Sequence, residues 1–407
     1  MTSRTPSGPW WIVLGLALGV TVSNSFARFA YGLILPAMQA DQGWTYAEAG
    51  WINTANALGY LAGALLTLAL IRRVPATRLF SLGMIGTTAS LILSGLTEDF
   101  VLLTLCRIAA GIAGAPAFIA GGSLAAALFP DPRRTALAIA LYFGGGGVGM
   151  ILTGATLPTL FASQGPAIWP SAWIALGAAS TLFTLLAIRA ARTLDRAGGT
   201  ASPGAAPASA PGAARLPVGR MAFALAGYAL FATGYIVYVT FLVAWMRDID
   251  AGPALVSTTW IAIGLAIAAS PFAWRGVLAR FANGVPLALA TGVTAAGTLL
   301  PLAVPGPAAL IGSGLLFGIA VFIAPASVTA FARHTLPPEM QGRAIALFTT
   351  VFAGGQTVGP VAAGALGDAF GSIESGLLAA GAVLIAGACV ALGQPALGEG
   401  RKNNAAT

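Results

Sequence analysis

Apolar residues run along this chain in long, nearly unbroken stretches, separated by short polar segments. About 20 helical residues cross the hydrocarbon core of a bilayer. At that length the pattern predicts twelve spans: 10–38, 45–71, 78–96, 100–129, 133–161, 168–190, 218–246, 253–273, 284–303, 307–334, 341–368 and 374–393. The expected fold class is an all-α membrane protein, twelve transmembrane helices in two pseudo-symmetric six-helix bundles. The first stretch is too long for a signal-peptide core, and no small-residue cleavage site follows it, so it reads as a retained helix.

Composition agrees with the pattern. Hydrophobic residues make up 57% of the chain and charged residues 8%, against about 25% charged in soluble proteins. A net charge of +8 would suit a nucleic-acid partner, but the charges are placed otherwise. With the N-terminus inside, the cytoplasmic segments hold Arg4, Arg72, Arg73, Arg78, Arg133, Arg134, Arg189, Arg192, Arg196, Arg215, Arg220, Arg275, Arg280, Arg333, Arg343, Arg401 and Lys402, which is 17 of the 20 basic residues. Arg247 alone falls outside, and Arg28 and Arg107 fall within spans. This positive-inside bias orients both termini to the cytoplasm. A span count wrong by one would scramble the split. The expected partners are the lipid bilayer and a small-molecule substrate, with no nucleic acid, for a chain acting as a monomer. Cys106 and Cys389 lie inside spans and read as small buried apolar residues rather than a disulfide.

Residues 190–217 are rich in Ala, Pro, Gly and Ser and lack apolar periodicity, so they read as a flexible cytoplasmic linker. The expected domains are an N-terminal bundle over 1–189, that linker, and a C-terminal bundle over 218–407. Short motifs recur between the halves. Ala138-Ile139-Ala140-Leu141 and Ala344-Ile345-Ala346-Leu347 open spans five and eleven. Phe118-Ile119-Ala120 matches Phe322-Ile323-Ala324, and Trp51-Ile52 matches Trp260-Ile261. Parallel six-span halves around a midplane site describe a rocking secondary transporter.

Several motifs resemble the major facilitator superfamily. Arg107-Ile108-Ala109-Ala110-Gly111 is similar to its fourth-span signature, and Gly144-Gly145-Gly146-Gly147-Val148-Gly149, with Gly154 and Pro158, to the glycine-rich fifth span of its antiporters. The loop Arg72-Arg73-Val74-Pro75-Ala76-Thr77-Arg78 sits where the best-known motif of that superfamily would be, but the Asp of that motif is absent. Arg28 to Met38, Gly50 to Tyr60, and Gly355-Gln356-Thr357-Val358-Gly359-Pro360 resemble its YbfB/YjiJ-type branch. The resemblance implies transport by alternating access in a bacterial inner (cytoplasmic) membrane and leaves the cargo open. For Arg107 it implies a structural or proton-coupling role, which stands beside direct substrate contact.

The candidate substrate-binding residues are Asn24, Arg28, Tyr31, Asn53, Asn56, Arg107, Tyr142, Tyr235, Tyr238 and Gln356. Helical spacing puts Asn24, Arg28 and Tyr31 on one face of span one, and Asn53, Asn56 and Tyr60 on one face of span two. Polar groups in lipid lack partners, so these faces should turn inward. Asn and Tyr also serve as interhelical glue. Arg28 stays protonated, and a charge at membrane depth faces a bundle interior or a water-filled path. Three readings stand open for it: a fixed cation for a substrate carboxylate, snorkelling to the outer surface, or a structural pair with Glu48 or Asp368. His334 reads as an interfacial residue. The glycine run lacks the pattern of a phosphate loop and reads as close helix packing. One His and two separated Cys build no metal site, and no cofactor is expected.

Three function classes compete. A secondary transporter of a small organic solute, with a carboxylate-bearing anion favoured, fits best. A proton-coupled exporter of amphipathic compounds is its runner-up, motivated by the span-five glycines and the nine Trp. A ligand sensor wants an output domain that neither linker nor tail supplies. An enzyme wants an acid, base and nucleophile clustered in the membrane, and the carboxylates lie at span edges. With both native cysteines replaced, a Cys at Ser209 should react with impermeant maleimide only from the cytoplasmic face. Labelling from the outer face would overturn the topology.

Overall fold

Twelve helices are long and apolar enough to cross a membrane. The structure, a computed structural model, describes residues 10–71, 73–196 and 216–397. The expected linker falls largely on 197–215, and the chain ends on 1–9 and 398–407, outside the described residues. In chain order the helices are α1 Trp10–Gln42, α2 Tyr46–Leu70, α3 Ala76–Ser94, α4 Phe100–Ala126, α5 Pro132–Gln164, α6 Trp169–Arg196, α7 Ala222–Asp248, α8 Pro253–Arg280, α9 Val285–Ala303, α10 Pro307–Thr335, α11 Pro338–Phe370 and α12 Glu374–Leu392. No strand occurs among the described residues.

Local chemistry sets the ends. The side chains of Asp99 and Asp131 accept from Leu102 N–H (2.8 Å) and Arg134 N–H (3.0 Å) and start α4 and α5. Thr45 and Glu48 form a reciprocal capping box at the start of α2. Gly43 (φ 67°) and Gly371 (φ 74°) close α1 and α11 in the left-handed conformation that glycine tolerates. Helices α6 and α8 run on to Arg196 and Arg280, past the predicted ends at 190 and 273. Apolar length predicts where a helix must lie in lipid, and nothing in it stops the helix at the interface.

Two helices depart from regular winding. Thr21–Phe29 of α1 is a π-helix, closed by a bond from Ala30 N–H to Ser25 O. Helix α10 breaks at Phe322 between Pro307–Val321 and Ile323–Thr335. Pro325 follows, and its ring nitrogen cannot bond to the carbonyl of Val321.

The packing repeats with an offset of six helices. In the N-terminal half α2 packs on α4, α4 on α3, α3 on α6, and α1 on α5 and α6. In the C-terminal half α8 packs on α10, α10 on α9, α9 on α12, and α7 on α11 and α12. The halves meet through α5 against α8, α2 against α11, and α1 against α7, an arrangement that maps onto itself when the halves exchange. The repeat is not matched motif by motif. Trp260 is buried against α5 beside Gly154, whereas its sequence match Trp51 is exposed. Leucines such as Leu65, Leu82, Leu102 and Leu185 are exposed on the outer surface, as a lipid-facing girdle requires. Cys389 is exposed and Cys106 half-buried, so neither is the fully buried residue expected.

One end of the interface between the halves is sealed. Asp368 at the end of α11 accepts from the backbone N–H groups of Tyr46 (2.8 Å) and Ala47 (2.9 Å), which begin α2. Tyr46 donates its hydroxyl to Asp248 (2.8 Å), and Arg247 donates to Pro36 O (2.6 Å). Gly50 and Gly364 let α2 and α11 touch backbone to backbone, since a Cβ at either would meet the opposite chain.

Candidate functional site

The π-helical turn of α1 organises the site. Thr21 and Ser25 donate their hydroxyls to Gly145 O (2.7 Å) and Gly146 O (2.6 Å) of α5. A Cβ at Gly145 would meet Ala17, and one at Gly147 would meet Gly264 of α8. The glycine run therefore lets α5 lie against α1 on one side and α8 on the other. Winding with i to i+5 bonds turns each residue through a smaller angle than an α-helix does. The α-helical rule that placed Asn24, Arg28 and Tyr31 on one face therefore does not apply as written, although Arg28 and Tyr31 both meet α2. Arg28 lies over the ring of Tyr60 on α2, 5.4 Å from its centroid. Tyr31 donates its hydroxyl to Ala49 O at 2.6 Å.

Arg28 is 4% exposed, which excludes snorkelling. Helix α1 continues to Gln42, so Arg28 sits roughly 20 Å from that end at the standard rise. The proposed acid partners are committed elsewhere. Glu48 accepts from Thr45 N–H at 2.9 Å, and Asp368 caps α2. The Arg28 Nε and Nη2 atoms are buried without a hydrogen-bond partner. These two nitrogens share one edge of the guanidinium plane, the edge that gives two parallel bonds to a carboxylate. Tyr235 of α7 lies within electrostatic reach of that charge. Also buried without partners are Asn24 Nδ2, Asn53 Oδ1 and both amide atoms of Gln356. Asn53 donates its Nδ2 to Thr240 Oγ1 across the halves. Buried polar atoms are nearly always satisfied by protein or water; other unpartnered atoms, such as those of Thr104, Trp173, Ser257 and Thr291, are spread over further helices.

Arg107 has a different environment. It is fully buried and donates Nη2 to Ala27 O. Its guanidinium stacks on Trp173 of α6 (4.6 Å) and lies 5.8 Å from the Tyr31 ring. One nitrogen of its fork is thus occupied, and the unpartnered Nε and Nη1 do not share the side edge. In this arrangement Arg107 ties α4 to α1 and α6. Asn56 donates to the Arg107 carbonyl at 3.1 Å and holds α2 to α4. Tyr142 donates to Phe118 O (2.7 Å) between α5 and α4. Tyr238 bonds Ser313 at 2.6 Å and stacks on Phe317 at 4.2 Å, inside the C-terminal half.

Of the ten candidates, Asn24, Arg28, Asn53, Arg107 and Gln356 carry buried polar atoms without a partner among the described residues, and Tyr31, Asn53, Asn56, Arg107, Tyr142 and Tyr238 bond to other helices. Sequence reasoning left out Tyr60, Thr240 and Phe352. Tyr60 shared the predicted face of α2 with Asn53, so the signal was present for it. A cavity of about 350 Å³ near the sealed end is lined by Trp44, Tyr46, Arg247, Asp248 and Asp368, among others. The last four of these already bond across the seal. His334 is exposed in the last turn of α10.

Two six-helix repeats, crossed by α5–α8 and α2–α11 contacts around buried and unpaired polar groups, define a membrane transporter of the major facilitator fold. The chain belongs to the family described as "Uncharacterised MFS-type transporter YbfB", whose model matches residues 18–392. A chloramphenicol resistance protein of Streptomyces lividans is 28% identical over 392 residues, covering 91% of this chain and 94% of that protein. A probable actinorhodin transporter of Streptomyces coelicolor is 27% identical over 142 residues, 35% of this chain and 24% of that protein. Among solved structures, a point mutant of the nucleoside transporter NupG shares the fold with a TM-score of 0.67 at 14% identity, over 94% of this chain and 99% of that one. A bacterial homolog of the human lysosomal transporter Spinster, inward-facing and occupied, has a TM-score of 0.65 at 16% identity, over 94% and 96%. The chain is a transporter and an integral membrane protein, not an enzyme.

Arg107→Lys keeps a charge but loses the planar stack on Trp173. It should lower stability in detergent by about 1–3 kcal/mol, the range for a charged hydrogen bond and a buried cation–π contact. A thermal unfolding midpoint unchanged from wild type would contradict that structural role.

Proposed function

We propose that the chain is a secondary transporter that moves a small organic solute bearing a carboxylate by alternating access, with Arg28 as the fixed cation that binds it. One observation carries this reading: a buried guanidinium whose Nε and Nη2 edge has no partner among the described residues. An uncompensated charge in a low-dielectric interior is costly, and an incoming carboxylate both neutralises it and accepts two parallel bonds. Asn24, Asn53 and Gln356 supply further polar contacts, and Tyr235 brings the C-terminal half to the same ligand. Their distribution over both halves supports binding that is coupled to rocking. The domain bounds proposed are 1–189 and 218–407.

The positive-inside bias supports a bacterial inner-membrane orientation with both termini cytoplasmic. In that orientation the seal made by Asp368, Tyr46 and Arg247 lies at the outer face. A second reading, export of amphipathic compounds, draws support from the names of the two relatives, a resistance protein and a probable transporter of actinorhodin.

Arg28→Lys retains the charge and loses the fork. It should weaken carboxylate binding at least tenfold, or about 1.4 kcal/mol. Arg28→Ala should abolish uptake of radiolabelled carboxylates into proteoliposomes and leave thermal stability intact or raised, because no buried partner is stranded. Loss of stability in Arg28→Ala, restored by a second substitution at Glu48 or Asp368, would sink the substrate-binding role.

A further inference from the structure

A group of rings on α7 and α11 has nearly one orientation. On α7, Tyr228, Phe231 and Tyr235 recur at helical spacing, and Phe352 of α11 packs against all three. Tyr235 and Phe231 are inclined by 7° with centroids 5.0 Å apart. Phe352 lies 5.6 Å from Tyr235 at 11°, and 5.0 Å from Tyr228 at 16°. Tyr228 and Phe231 differ by 2°. Aromatic pairs left to themselves favour tilted and edge-to-face geometries as much as parallel ones. Most other ring pairs in this protein follow that rule, such as Trp44–Phe100 at 86° and Tyr142–Phe143 at 72°. Four rings sharing one plane direction therefore form a panel.

The panel is tied to the charge. Helices α2 and α11 run antiparallel in contact, with Gly50 against Pro360 and Thr54 donating to Thr357 O (3.0 Å), which sets the stretch of α2 that carries Tyr60 beside the stretch of α11 that carries Phe352. Tyr60, on the opposite half, holds the Arg28 guanidinium over its face. Phe352 is half-buried, whereas Tyr228, Phe231 and Tyr235 are buried, so Phe352 is the ring of the four that a ligand can reach. One turn beyond Phe352 on the same helix stands Gln356 with both amide atoms free. A ligand whose carboxylate sits in the Arg28 fork thus has the Phe352 ring, held in a fixed orientation by three rings of α7, to stack on from the opposite half of the molecule.

We infer that the site selects planar aromatic carboxylates over aliphatic carboxylates of the same charge and size, with Phe352 as the specificity-determining residue. The inference rests on the Arg28 reading above. A flat ring set parallel to the panel gains an offset stack that a puckered ring of equal carbon count cannot match. Such pairs contribute about 0.5–1.5 kcal/mol beyond buried area, which converts to a preference of roughly two- to tenfold.

The test is binding to the purified full-length protein in detergent, by isothermal titration calorimetry, with benzoate, cyclohexanecarboxylate and neutral benzamide. Benzoate should bind two- to tenfold more tightly than cyclohexanecarboxylate, and benzamide should bind far more weakly than either. Phe352→Leu should bring the two acids to equal affinity, and Phe352→Tyr, which keeps the ring, should retain the preference. Equal affinities in the wild type, or a preference that survives Phe352→Leu, would overturn the inference and leave the Arg28 reading standing. Failure of both acids to bind, or benzamide binding as well as benzoate, would overturn both.

Discussion

A guanidinium held inside a membrane protein without an anion is the constraint around which this structure is arranged. Ordinary ion pairing is ruled out by geometry: Glu48 caps its own helix and Asp368 caps α2 from the opposite half. What the protein supplies to Arg28 is weaker and adaptable, the face of Tyr60 and the nearby Tyr235 phenol. A cation–π contact offsets part of the cost of burial without occupying the hydrogen-bonding edge. On the proposed reading, a charge kept in the core yet left free to bond suits a transporter, because a ligand carboxylate would complete what the fold leaves open.

Comparison of the two arginines shows how position alone divides their roles. Both are buried at membrane depth, and both lie near a tyrosine ring. Trp173 and the carbonyl of Ala27 complete the surroundings of Arg107 within the N-terminal half. Arg28 lies over Tyr60 of its own half and leaves its Nε and Nη2 edge without a partner among the described residues. The hydrogen bonds at the sealed end, Asp368 to Tyr46 and Arg247 to Pro36, join different halves. Backbone contact through Gly50 and Gly364 makes that seal tight, and only glycine permits it.

Apolar length made the fold legible. A stretch that fills the hydrocarbon core has no alternative to a helix, whereas the ends set by Gly43, Asp99 and Asp131 emerge only from the structure. The site was legible only in its residue types. Placing Asn24, Arg28 and Tyr31 on one face assumed α-helical winding. That winding is replaced by π-helix through bonds from Thr21 and Ser25 to Gly145 and Gly146, residues more than a hundred positions away. Nor does sequence distance reveal that Trp173 takes Arg107, or that Ser313 takes Tyr238. Tertiary contacts decided which polar residue remained free, and periodicity carries no information about them. Tyr60 was the exception, visible on the same predicted face as Asn53 though absent from the candidates.

The central claim is that the Nε and Nη2 edge of Arg28 is where the ligand carboxylate docks. An electron cryo-microscopy structure of the full-length protein in a nanodisc with saturating benzoate tests it most directly. The account predicts both carboxylate oxygens within about 2.7–2.9 Å of Nε and Nη2, the range of charge-assisted bonds, with Arg28 still over Tyr60. A benzoate bound elsewhere while Arg28 pairs with an acidic side chain of the protein would contradict it.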